Sequence, residues 1–268
     1  MMNAKILISA VAVSTCLGIS YQAQSAAVLE SFDYTDTATL DGQGAAGSGW
    51  AGAWSQGGGA TTTATIASLG LTHPNVSSAG NKAVITPTGS STFLTRSLSD
   101  TYGADGTTTY ISFLGERLND ANTTTRFFGL KLAGSSNGLL IGQKSFGSKW
   151  GIVAGSTSVD STVDTLDAAL IVVRLDAVAG ADTLTLWVNP DLSLTEASNT
   201  PAAQITTVDI GTFNSVRLDA SETAIPGADY EIDEISISNE GSPFVVPEPA
   251  SLMLLGLAMP LLACRRGR

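Results

Sequence analysis

The sequence predicts an all-β fold: a two-sheet antiparallel jelly-roll sandwich, flanked by an N-terminal signal peptide and a short C-terminal hydrophobic helix. Three observations predict it. Period-two alternation of apolar and polar residues recurs through the middle of the chain, whereas helical spacing is hard to find. Turn-rich pieces such as Gly134-Ser135-Ser136-Asn137-Gly138 break that alternation at short intervals. The two ends depart from the pattern as uncharged, largely apolar runs.

Residues 1–27 read as an export signal. Lys5 supplies a small positive region, 6–19 an uncharged and mostly apolar core, and Ala23, Ser25, Ala26 and Ala27 small residues for cleavage. The core is too short for a stable span. Trimming leader and tail changes the charge balance. The chain carries 13 Lys+Arg against 24 Asp+Glu; the leader takes Lys5, and the tail takes Glu248, Arg265, Arg266 and Arg268. The remainder has 9 basic and 23 acidic residues, a net charge of −14. Such a surface repels phosphate, so nucleic acid is not an expected partner. Cys16 lies in the leader and Cys264 in the tail. The body between them therefore has no disulfide, thiolate metal site or cysteine nucleophile, and a packed core must hold it together.

Residues 28–241 are expected to form that core as one sandwich. Strands are predicted at 27–32, 64–69, 81–86, 92–98, 108–114, 126–132, 139–143, 150–154, 169–177, 183–189, 204–209, 215–219 and 230–238. The clearest hairpin joins 170–177 to 183–189. In its second arm Leu184, Leu186 and Val188 face the core, and Thr183, Thr185 and Trp187 face away. The last strand alternates imperfectly. Tyr230, Ile232, Glu234 and Ser236 share one face and Glu231, Asp233, Ile235 and Ile237 the other, unless a bulge changes the faces. The glycine-rich stretch 42–59, which carries Trp50 and Trp54, reads as a long loop. Residues 242–246 read as a linker that holds the domain off the membrane.

The tail begins with Pro247-Glu248-Pro249, continues uncharged through 250–264, and ends in Arg265-Arg266-Gly267-Arg268. A helix of this apolar length covers roughly 22 Å, short of the roughly 30 Å hydrocarbon core. Pro260 weakens it further, and the arginines favour a cytoplasmic end. This three-part end resembles the PEP-CTERM sorting signal of Gram-negative bacteria, with Pro247, Glu248, Pro249, Arg265 and Arg266 as its matching residues. The resemblance implies an exosortase-type membrane protease as partner. It also implies transient residence in the inner membrane, then delivery to the outer envelope or extracellular matrix, in the company of exopolysaccharide and biofilm production.

The body resembles the concanavalin A-like (laminin G-like) jelly rolls of bacterial surface proteins. The residues concerned are Glu30-Ser31-Phe32-Asp33-Tyr34, Gly49-Trp50-Ala51-Gly52-Ala53-Trp54, Trp187-Val188-Asn189-Pro190 and Glu231-Ile232-Asp233-Glu234-Ile235. This resemblance implies a structural Ca²⁺ near the first and last strands, with Glu30 or Asp33 meeting Asp233; the alternative is a solvated acidic edge. Ca²⁺ takes about six to eight oxygen ligands. Stacking on sugars would fall to Trp187, then Trp50 and Trp54; the alternatives are packing against a covering loop and pinning of the glycine-rich segment.

A catalytic triad lacks its base, since the one histidine, His73, precedes Pro74 in a turn. The enzymatic alternative is a laminarinase-like glycoside hydrolase using Glu231 and Asp233. That family carries Glu-x-Asp-x-(x)-Glu on one strand, and here Ile235 and Ser236 stand where the third carboxylate belongs. The expected role is a non-catalytic envelope or matrix protein with weak affinity for carbohydrate.

Overall fold

The computed structural model describes residues 28–244, apart from 45–46, 58–62, 77, 79, 88–91, 119–126, 135–136, 146, 222–228 and 240. The predicted leader and the sorting tail lie outside the described residues. In chain order the strands are β1 (Val28–Glu30), β2 (Ser55–Gly57), β3 (Thr63–Ala67), β4 (Lys82–Thr86), β5 (Thr92–Tyr102) and β6 (Thr108–Arg117). Then come β7 (Phe127–Ala133), β8 (Leu139–Gln143), β9 (Lys149–Ala154), β10 (Thr157–Asp164) and β11 (Ala169–Asp176). Last are β12 (Asp182–Val188), β13 (Ala203–Val208), β14 (Phe213–Ser221) and β15 (Tyr230–Ser238), with a single 3₁₀ turn at Glu196–Ser198.

These strands form two antiparallel sheets. The first runs β13-β12-β11-β6-β15-β4-β3, with β1 added to β15; the second runs β10-β9-β8-β7-β14-β5-β2. The first and last strands are neighbours, Val28 opposite Ile237 and Glu30 opposite Ile235. The 170–177/183–189 hairpin is β11–β12, with Ile171 opposite Val188 and Asp176 opposite Thr183. The core is the layer between the sheets. Ile171, Val173, Leu184 and Leu186 from the first sheet meet Leu130, Ile141, Ile152 and Val216 from the second.

Alternation accounts for most of this, and its failures are informative. In β15 both Ile232 and Ile235 reach the core, as do Tyr230 and Ile237. Strict alternation forbids that. A bulge resolves it: the pairing with β6 shifts between Asp233 and Ser236, and Glu234 takes a left-handed φ of 50°. The bulge also marks a hand-over. Residues 230–232 of β15 pair with β4, and 235–237 pair with β1. The strand β10 escapes sequence reading because only Val159 and Val163 of its Thr-Ser-Val-Asp-Ser-Thr-Val-Asp run pack on the core.

The outer face of the first sheet is not solvated, as simple alternation would have it. A second apolar layer of Leu71, Leu114, Leu170, Val172, Trp187 and Phe244 covers it. Phe244, inside the stretch expected as a linker, belongs to this layer: it is 3% exposed and meets the Trp187 ring edge-on at 5.2 Å. Its N–H donates to Ser242 Oγ. Burying its ring against the sheet holds residues 242–244 on the domain.

Candidate functional site

Glu30 points into the interior and is spent there. Its carboxylate accepts the Phe32 N–H at 2.8 Å, the Tyr34 hydroxyl at 2.9 Å and the Trp54 indole N–H at 3.0 Å. It also pairs with Arg96 of the facing sheet. Arg96 in turn donates to the carbonyls of Gly44 and Gly52 and lies over the Trp50 ring at 4.6 Å. This buried pair fastens the glycine-rich segment to both sheets. Trp54 is buried, and Trp50 is half-buried with its indole N–H on Leu29 O. Neither presents a free ring face to a sugar.

Asp233 lies on the opposite face of the first sheet from Glu30, so the two cannot share an ion. Its Oδ2 accepts the Leu71 N–H and the Ser78 hydroxyl, each at 2.9 Å, and its Oδ1 accepts the Glu234 N–H at 2.8 Å. The carboxylate thus stitches the β3–β4 connection over the gap at the bulge. Burial, reinforced by the nearby Glu234, pushes its pKa up to about 7 against those three donors. Asp33 is exposed. Among the described residues no group of three or more His, Cys, Asp or Glu side chains converges. Of the two pairings expected for Ca²⁺, Glu30 with Asp233 is not formed: both carboxylates are taken up by internal hydrogen bonds on opposite faces of the sheet.

Glu231 and Asp233 do share a face, as the hydrolase alternative requires, and both are buried. Glu231 is 4% exposed and pairs with Lys82 at 2.6 Å. Glu116 stands directly opposite Glu231, and burial together with that neighbouring charge raises its pKa. Trp187 does face away from the core, and is nevertheless buried beneath Phe244 with its N–H on Asn199 O. It is a packing residue, not a platform. His73 sits in the loop between β3 and β4, with Nε2 3.2 Å from Asn189 Oδ1.

The open site is on the other side of the sandwich. A groove of roughly 820 Å³ crosses the outer face of the second sheet. Its floor is a row of side chains in register across adjacent strands. Arg217 of β14 stands opposite Lys131 of β7, Lys131 opposite Leu140 of β8, Leu140 opposite Val153 of β9, and Val153 opposite Ser158 of β10. The strands can approach this closely because glycines face each other at Gly129 and Gly142. A Cβ on Gly129 would stand 2.2 Å from Ile141 O, and one on Gly142 2.1 Å from Phe128 O.

At one end Arg217 lies over the Phe93 ring at 3.8 Å and donates to Asp219 Oδ2 at 2.6 Å. Asp219 is 2% exposed, and its Oδ1 has no hydrogen-bond partner among the described residues. Burial raises its pKa, opposed by Arg217 and Lys131. Across the groove Lys144 pairs with Asp160 at 2.7 Å. Lys131 has no ion-pair partner among the described residues. None of these groove residues stood out in the sequence. Their meaning depends on cross-strand register, which links Arg217 to a lysine far away along the chain.

Residues 245–268 match the family model of the PEP-CTERM protein-sorting motif. That motif marks an exported protein sorted through the membrane, and implies processing by an exosortase, itself a membrane protein. Among the described residues no helix is long and apolar enough to cross a membrane. No curated protein matches the sequence. Among solved structures, the chain is similar to an endo-1,3-beta-glucanase from Streptomyces sioyaensis at 11% identity and a TM-score of 0.51, covering 80% of this chain and 95% of that one. It is also similar to the cellulose induced protein Cip1, at 12% identity and a TM-score of 0.48 over 69% of this chain and 91% of that one. A third is the botulinum neurotoxin serotype D binding domain, at 12% identity and a TM-score of 0.48 over 85% of this chain and 52% of that one. At this identity the likeness to the glucanase speaks to the fold alone, a two-sheet antiparallel jelly roll.

Proposed function

Taking the sorting motif at residues 245–268 as the premise, we propose that the chain is a non-catalytic protein of the cell envelope or exopolysaccharide matrix that holds glycan chains in the groove of the second sheet. One observation carries this reading. The groove is floored by two cationic side chains, Arg217 and Lys131, followed by apolar Leu140 and Val153, and Asp219 is the one carboxylate among its described lining residues. Retaining glycoside hydrolysis needs two carboxyls about 5 Å apart, and inversion needs two farther apart. A groove with one carboxylate, itself tied to Arg217, suits binding better than cleavage. Glu231 and Asp233 lie on the other sheet, where Lys82, Leu71 and Ser78 occupy them.

The test is a panel of soluble polysaccharides offered to the purified protein, read for both retention and reducing-end release. Retention without release is expected. Release that disappears in Glu231→Gln would establish the hydrolase instead. The sorting premise has its own measurement, the mass of the exported protein. Wild type is expected to lose the tail, whereas Pro247→Ala/Pro249→Ala is expected to keep Arg268.

A further inference from the structure

The body carries a net charge of −14, with only 9 basic residues between leader and tail. Three of them, Lys131, Lys144 and Arg217, line this groove, against Asp219 as the single carboxylate among its described lining residues. The sign of the surface is therefore reversed locally. Lys144 is offset by Asp160, and Arg217 and Lys131 both bear on Asp219, which leaves one positive charge in excess at the Arg217 end of the floor. Beside it Asp219 Oδ1 is buried and unpartnered among the described residues, a costly state for a carboxylate oxygen unless a donor completes it. Gly129, opposite Asp219 on β7, has no side chain to do so. Next in the row, Leu140 and Val153 present apolar surface.

We propose that the groove selects an acidic polysaccharide. A carboxylate or sulfate substituent accepts hydrogen bonds from Lys131 and from the Arg217 edge. The C–H face of the ring lies on Leu140 and Val153. This rests on the glycan-holding reading above and names the class of glycan. A polyphosphate backbone fits less well, because its denser charge meets the acidic remainder of the body on either side of the groove.

The experiment titrates the full chain with polygalacturonate, dextran sulfate, neutral dextran and a single-stranded oligothymidylate, at low and at raised salt. One or both of the acidic glycans should bind, with affinity falling as salt rises; which one binds tells uronate from sulfate. Lys131→Gln should weaken that binding about tenfold, the worth of one charge-assisted hydrogen bond. Lys131→Arg should retain it, with the circular dichroism spectrum of both variants unchanged. Neutral dextran bound as tightly as the acidic polymers, or Lys131→Gln binding like wild type, overturns the charge selectivity and leaves the glycan reading intact. Failure to retain any glycan overturns both. Tighter binding of the oligothymidylate than of either glycan overturns the proposal in favour of nucleic acid.

Discussion

Glu30 shows how one residue can look like a ligand and serve as a fastener. It begins an acidic, aromatic stretch at the start of the body, where a metal-binding carboxylate is a reasonable expectation. The structure gives it three donors and a buried arginine. Removing one partner of such a pair leaves a buried charge uncompensated and costs about 3–5 kcal/mol. Glu30→Ala should lose that much in urea denaturation, and a loss under about 1 kcal/mol would show that Arg96 finds other partners. The carboxylate itself was legible in the sequence. Its partner was not, because Arg96 lies 66 residues away and only the facing of the two sheets brings it near. Trp54 was misjudged for the same reason: its indole N–H is one of the donors to that buried carboxylate.

Among the elements, β15 carries the most information. Its sequence puts isoleucines at 232, 235 and 237, a spacing that no unbroken strand can bury on one side. The left-handed residue Glu234 repairs the register and lets β15 exchange β4 for β1. Glycine tolerates that backbone, so Glu234→Gly should stay within about 1 kcal/mol of wild type in thermal melting. Deleting Glu234 removes the one extra residue, so Tyr230, Ile232, Ile235 and Ile237 fall on one face in strict alternation, and the variant should still fold. A deletion variant that fails to fold would show that the bulge does more than set the faces. Strongly alternating elements such as β12 could be read directly from sequence, because local pattern and burial agree there. The edge strands β2 and β10 could not, since strand pairing rather than hydrophobicity defines them. The second apolar layer was hidden too: nothing local says that the far side of β11 and β12 will be roofed by residues from distant segments.

At the scale of the whole molecule, burial raises the pKa of four carboxyl groups, Glu30, Glu116, Asp219 and Asp233, and the body is strongly anionic. For a carboxyl raised in the folded state, the native protein holds the proton more tightly than the unfolded chain does. Its stabilising contribution is complete below the unfolded value and is lost as pH rises through the folded one. For Asp233 that window runs from 3.8 to about 7. The urea midpoint should therefore fall from about pH 5 to about pH 8, and Asp233→Asn should show a shallower fall. A midpoint that rises over this range in wild type would contradict the assignment.

The position of Phe244 has one more consequence. Only Val245 and Val246 separate it from Pro247, and it is fastened to the flank of the first sheet, opposite the groove. The chain thus leaves the described domain from the side of the sandwich that the groove does not occupy, so a ligand in the groove and the sorting motif need not compete for one surface.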